Sequence, residues 1–539
     1  MRQFSPTILA LALLAGHINL ALAADNISLR LSYSEGRNGL SFSPIQAEVG
    51  NFGLTPSQPE HATNAQWKVV AKNARGQVLH QASVKNGLQW QAEVFNPRTG
   101  GIEHAQTVRE TSGVLEVSMP FHKDIASVEV LPMNSAAQGF AANPSALVKY
   151  DRNALQQLIT RSQAKASLAN SLAVKATTTT ITETGPANAR MDYVFVGDGY
   201  TAAEMAKWRT DAQKVINGFM ADPLFNANRA AINVRRVDIA SNQSGVDEPD
   251  KGIYKDTAMD GAFNCYNIAR LLCVNNTKVF NVVGSVLAPD ARDVVIVVSN
   301  STRYGGSGGQ VATMSMESQS VEIALHEIGH TAFALADEYD YGTCSTSSEP
   351  SEGNVSRLAN RNVKWSSLIA ANTALPTQVG NYPNGTVGAF QGAQYCTAGK
   401  YRPTENSRMR TLGYPWHAVN EGLVRKVFAQ YYKPDTTGGT TQTGSLSTGG
   451  IAYAPSASPG YIQAGNGVIT LNLTGPAGSN FDLALYKWNG SAWAKVASST
   501  STSANEAIQY NGTAGYYYGE IKAVKGSGNF SVKYSFPPK

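Results

Sequence analysis

Residues 325–340 read LHEIGHTAFALADEYD, and within them His326, Glu327 and His330 form an H-E-x-x-H pattern. On a helix, positions i and i+4 lie on one face, so both imidazoles can reach a single ion. Zinc held by such a pair lowers the pKa of its bound water to about 7 and makes hydroxide available at neutral pH. Glu327, one residue beyond the first histidine, is placed to take the proton of that water and pass it to a leaving amine. The predicted chemistry is hydrolysis of a peptide bond, with His326 and His330 as metal ligands, Glu327 as general base and one zinc as cofactor.

Catalytic zinc usually takes three protein ligands and leaves a fourth position to water. A metzincin would carry glycine at 333 and histidine at 336. This chain has Phe333 and Ala336, and the next liganding side chains are Asp337, Glu338 and Asp340. If the helix ends near Leu335 and the chain bends back, Asp337 stands one residue beyond the metzincin position, and it is read as the third ligand. Glu338, Asp340 or a carboxylate from a second helix are the alternatives. A hydrogen-bonding role at the helix end is the competing reading of Asp337 itself.

The elements that must position these groups are legible upstream. MDYVFVGDGY (191–200) is a continuous apolar run ending in Gly-Asp-Gly, the pattern of a buried strand. Thr201 and Glu204 form a capping box that opens a helix running to about Met220. INVRRVDIA (232–240) and DVVIVVSN (293–300) predict further strands, and GGQVATMS (309–316) predicts one more at the sheet edge. An edge strand there offers its backbone to an extended peptide. Residues 320–335 have helical periodicity, with Ile323, Leu325, Ile328, Ala332 and Leu335 on one apolar face. Strand–helix–strand order predicts an α/β layer with right-handed connections.

Either side of this unit the pattern is β. From Ile27 to about Asn134 apolar residues alternate between Gly, Asn and Pro breaks, which predicts an antiparallel β-sandwich over 24–150. His61, His80, His104 and His122 are scattered through it without ligand spacing and read as structural or surface residues. A polar helix at 152–174 and the stretch KATTTTITETGPANA make a helix and linker over 151–188, and the catalytic unit spans 189–433. PDTTGGTTQTGSLSTGG reads as a flexible linker over 434–450. Residues 451–539 predict a second, small β-sandwich with a hairpin turning at Asn489-Gly490. Its Trp488, Trp493 and Tyr516-Tyr517-Tyr518 read as packing in preference to a binding surface.

At 539 residues the chain exceeds one hydrophobic core. Only 15% of residues are charged, the net charge is +5, and no basic cluster is interleaved with aromatics, so a nucleic-acid partner is excluded. The N-terminus MRQFSPTILALALLAGHINLALAADN has a positive n-region, an apolar run and a small-x-small site, predicting a signal peptide over 1–23 cut after Ala23. The mature protein is therefore expected to be secreted or periplasmic, without an integral membrane segment. Four cysteines in an exported chain predict disulfides, with Cys265–Cys273 as a local clip and Cys344–Cys396 as a longer loop favoured among three pairings. Asp247, Glu248, Asp250 and Asp256 form an acidic loop, a candidate for a structural Ca2+. Its spacing fits no EF-hand, and a solvated loop is the preferred reading.

The stretches VFVGDGYTAAEM, NVRRVDIASNQSGVD, RYGGSGGQVATMS, HEIGHTAFALADEY and YRPTENSRMR occur in this order. Over roughly 190–430 the chain thereby resembles the M64 peptidases, the IgA peptidase family. The β-rich segment before it resembles the N-terminal domain often found with that unit, and the C-terminal segment resembles pre-peptidase C-terminal domains of secreted bacterial proteases. The resemblance implies a central zincin-like zinc metalloendopeptidase with an HExxH active-site helix, acting on protein or peptide substrates. It also suggests Met409, within Arg408-Met409-Arg410, as a Met-turn beneath the metal. Tyr414, shortly after, becomes a candidate donor to the oxyanion, and His417 reads as structural. The reading from another class is an extracellular surface- or matrix-binding protein with an inactive peptidase unit. Retention of His326, Glu327 and His330 weighs against it.

Overall fold

Every residue of Met191–Asp198 and Val294–Ser299 is buried, and these two strands lie at the centre of a six-stranded sheet. Its order is Thr177–Thr182, Ile232–Asp238, Met191–Asp198, Val294–Ser299, Ala312–Ser315, Gly306–Ser307. The four inner strands run parallel, whereas each outermost strand is antiparallel to its neighbour. Side chains alternate between faces along a strand. Tyr193, Phe195, Ile296 and Val298 accordingly pack with Trp208, Ile216 and Phe219 of the helix Met205–Ala221 and with Leu325 and Ile328. Val194, Val196, Val295 and Val297 face Val279 and Val283 of the helix Asn276–Gly284. Covering both faces is what a parallel sheet of near-continuous apolar strands requires. The helix Met205–Ala221 is entered through a short turn, where the Glu204 carboxylate accepts from the Thr201 amide at 3.0 Å as a capping box predicts.

This computed structural model describes residues 26–537, apart from positions 38, 51, 56–65, 86, 133–145, 173–175, 343, 432–439, 466 and 477. The signal-peptide reading and His61 fall outside the described residues. Within them the chain is multidomain and β-rich, with several antiparallel sheets and few helices. Both expected disulfides, Cys265–Cys273 and Cys344–Cys396, are formed. No helix among the described residues is long and apolar enough to cross a membrane.

Near the N-terminus, two antiparallel sheets share one core. Asn26–Gly36 lies between Gly39–Gly50 and Ser112–Pro120, while Gln66–Lys72 and Ser127–Pro132 are central in a four-stranded sheet. Leu155, Leu158 and Ile159 of the helix Arg152–Leu172 join that core. A third pair, Gln89–Phe95 and Ile102–Arg109, forms a hairpin that is hydrogen-bonded into neither sheet. The C-terminal strands also make two sheets around a core that includes Leu471, Phe481, Leu485 and Tyr517. Tyr517 is fully buried, in line with packing, whereas Trp488 and Tyr516 are exposed.

Three stretches differ from the expectations. Within KATTTTITETGPANA, Thr177–Thr182 is the outer strand of the central sheet. Within the Thr/Gly-rich segment read as a linker over 434–450, Thr440–Leu446 pairs antiparallel with Gly528–Ser535. In both, β-branched threonines suit a pleated surface once a neighbouring strand supplies hydrogen-bond partners. The strand read at 309–316 is Ala312–Ser315, and it is not at the edge. The chain doubles back through Gly308 and Gly309 (φ 113°), so Gly306–Ser307 covers its outer side. That conformation at 309 is one glycine adopts without steric cost.

Candidate metal centre

The helix Ser320–Thr331 carries His326 and His330 on one face. Its buried side packs through Ile323, Leu325 and Ile328. Gly329 faces Met409, and a methyl added there would lie 2.6 Å from Met409 Sδ and 3.0 Å from its Cε. Met409 therefore sits directly beneath the histidine turn, where the resemblance suggests a Met-turn. Gly329→Ala is expected to cost about 1–3 kcal/mol by overpacking, measurable as a lower unfolding free energy in a urea titration.

Each imidazole is oriented by a main-chain carbonyl. His326 Nδ1 lies 3.0 Å from the Arg408 carbonyl oxygen, and His330 Nδ1 lies 2.7 Å from that of Leu335. A ring nitrogen facing a carbonyl carries the proton, which leaves Nε2 of both rings with its lone pair turned inward. The helix ends at Thr331, short of the expected Leu335. Ala334 then takes a left-handed conformation (φ 52°), turning the chain so that Asp337 comes back to the two rings. Its Oδ1 lies 3.1 Å from His330 Nε2 and 3.3 Å from His326 Nε2. Tyr395 donates its hydroxyl to the other oxygen, Oδ2, at 2.6 Å.

A fourth group comes from far away in sequence. Glu93, on the hairpin strand Gln89–Phe95, is 2% exposed and places Oε2 3.0 Å from His326 Nε2. Tyr339 donates to its Oε1 at 2.6 Å. Both carboxylates are thus anchored through one oxygen by a tyrosine and turn the other toward the histidines. The two Nε2 atoms are 3.1 Å apart, and all four donor atoms lie within 4.8 Å of one another. Four donors at zinc bonding distance around one centre have mutual separations of about 3.3–3.5 Å. Asp337 Oδ1 is buried and accepts no hydrogen bond. Lone pairs converging this closely repel unless protons or a cation lie among them. The donor set of two imidazoles and two carboxylates fits zinc in kind and number.

The electrostatics point the same way. Burial alone lowers an imidazole's pKa, but the Asp337 carboxylate outweighs it at His330 and holds that group at about 9. His326 is also raised well above its ordinary value, with Asp337 and Glu93 overcoming its burial. Asp337 is held far below the usual carboxylate range because the two rings more than offset its burial. Burial, then the charge of Asp337, raises Glu93. The cluster demands positive charge, which either protons or a dication supplies. Glu327, on the same helix, is lifted first by burial and then by the charge of Glu93. Its Oε1 is buried without a hydrogen-bond partner, and a Cβ at Gly308 would overlap its Oε2.

The alternative third ligands are engaged elsewhere. Glu338 accepts from Asn354 at 3.0 Å, Asn420 at 2.8 Å and Ser407 at 2.7 Å. Asp340 pairs with Arg410 at 3.3 Å. Tyr414 is 37% exposed, and its backbone amide donates to the Thr411 carbonyl at 3.4 Å. His417 opens the helix His417–Tyr431, and its ring packs against Gly385. In the acidic loop, Arg303 binds both Glu248 and Asp250, and Asp256 accepts from Asn242. Glu248, Asp250 and Asp256 of this loop thus have internal partners. Sequence reasoning missed Glu93, Tyr339 and Tyr395. The one available hint was an acid amid the apolar residues of QWQAEVF; nothing marked the tyrosines.

Comparison with known proteins places a family on the central unit. Residues 179–384 match the model of the family described as IgA Peptidase M64. Among solved structures, the chain is similar to the Yersinia pseudotuberculosis-derived mitogen, at 16% identity over 19% of this chain and 86% of that one, with a TM-score of 0.15. It is similar to the pre-peptidase C-terminal domain of a collagenase from Bacillus anthracis, at 18% identity over 18% and 88%, TM-score 0.15. A third is PliG of Aeromonas hydrophila, a periplasmic inhibitor of g-type lysozyme, at 12% identity over 18% and 88%, TM-score 0.14.

Proposed function

With a central unit that belongs to the IgA Peptidase M64 family, we propose that this protein is an exported zinc endopeptidase that hydrolyses peptide bonds in protein substrates. The observation that carries the reading is the convergence of His326, His330 and Asp337, each fixed through its outer atom by a carbonyl or a tyrosine. In this reading they hold the metal from a zincin-like catalytic domain over 189–433, flanked by β domains over 24–150 and 451–539. Zinc, when bound there, supplies the Lewis acidity that polarises a scissile carbonyl and acidifies water. Glu327 takes up the proton at its unpartnered Oε1 and returns it to the leaving nitrogen. The dry wall around it, with Gly308 pressed against the carboxylate, limits its rotamers and raises its proton affinity. Two disulfides fit an oxidising compartment.

Elemental analysis of the purified full chain tests this. One zinc per chain is expected in the parent, together with slow hydrolysis of an unfolded protein substrate that stops on chelation and returns with zinc. Asp337→Ala is expected to lose the metal. Full zinc in that variant would move the third ligand elsewhere, and no zinc in the parent after reconstitution would sink the reading.

A further inference from the structure

We propose that Glu93 is a fourth protein ligand of this metal, and that the hairpin carrying it, Gln89–Phe95 and Ile102–Arg109, holds the peptidase in a latent state. A hydrolytic zinc keeps one position open for water. Here Glu93 Oε2 stands 3.0 Å from His326 Nε2, as close as the ligands on the central unit stand to each other. The Tyr339 hydroxyl, itself fully buried, fixes the carboxylate in that place. A carboxylate buried at this depth needs a positive partner on its inward oxygen, and the group that Oε2 faces is the His326 ring of the metal cluster.

The hairpin is built as a separate arm. It joins neither N-terminal sheet, and it docks across the site helix mainly through side chains. Phe95 packs with Ile323 of that helix and with Leu412, and its ring meets the His326 ring edge-on at 4.8 Å. Beside the Cys265–Cys273 clip, Ala92 and Val108 pack on Leu271. Arg270 pairs with Glu103, and Tyr266 donates to Glu110. The backbone contributes a hydrogen bond from Leu412 N to the Gly100 carbonyl at 2.9 Å and a bridge between Gly101 and Thr411. With the arm seated, His326, Glu327 and Asp337 are buried and only His330 retains partial exposure, at 22% of its side chain. A polypeptide substrate cannot reach them. The parent's rate is then set by the small fraction of molecules whose arm is lifted.

The ligand assignment needs only the cluster; the latency rests on the peptidase reading above. Full-length parent, Glu93→Ala and the near-isosteric Glu93→Gln are compared as zinc and cobalt(II) forms. Both variants are expected to lose metal to a chelator about 10–100-fold faster and to change the visible cobalt spectrum as water replaces a carboxylate. Both are expected to hydrolyse an unfolded protein about tenfold faster or more than the parent. Unchanged cobalt spectra and chelator rates in both variants would overturn the assignment. A parent already as active as the variants, or a loss of activity in both, would overturn the latency. Altered spectra with no hydrolysis by any form would uphold the ligand and remove the peptidase reading instead.

Discussion

Glu327→Gln is expected to lower kcat for peptide hydrolysis by about a thousandfold while leaving one zinc per chain. The magnitude follows from the loss of general acid–base catalysis, worth about 10²–10⁴. Metal retention follows from geometry: the inward donors belong to His326, His330, Asp337 and Glu93, and Glu327 is not among the four. Glutamine keeps the volume at Gly308, where space is tight, so the comparison reads proton transfer and not packing. The measurement is kcat with zinc content in parallel, made both in the parent and in the Glu93→Ala background, where the site is expected to be open. Equal rates with and without the carboxylate would favour the rival reading, a binding protein whose peptidase unit is inert.

Glu338→Ala is expected to destabilise the central unit by about 3–5 kcal/mol, a stability defect and not a ligand loss. The carboxylate is fully buried and accepts from Asn354, Asn420 and Ser407, which belong to three separate segments. Its removal leaves these donors without their partner and opens a cavity, and each such loss costs about 1–3 kcal/mol. Its amide also donates to the Met409 carbonyl at 2.7 Å. Glu338 thereby ties the turn beneath the histidines to the segment that delivers Asp337. Urea titration gives the stability, and zinc analysis of the still-folded protein separates the neighbours: Asp337→Ala loses metal with a smaller stability change, Glu338→Ala the reverse. Loss of zinc in folded Glu338→Ala would reverse the two assignments.

What the sequence determined by itself was local. The spacing of His326 and His330, the placement of Glu327, the capping box at Thr201 and the buried runs at 191–198 and 294–299 follow from helix and strand periods, which act over a few residues. The Cys265–Cys273 clip spans only eight residues and was equally legible. Strands that exist only because a distant partner satisfies their backbone are not legible in this way, and the threonine stretches at 177–182 and 440–446 have by themselves the composition of linkers. Which acid after the helix turns inward depended on the left-handed step at Ala334 and on Tyr395, 58 residues beyond Asp337. Glu93 lies 233 residues before His326, and no periodicity reaches across that interval. Only the tertiary structure could bring it in, because the groups that meet its carboxylate, His326 and Tyr339, belong to the central unit, and that meeting is a property of the packed whole.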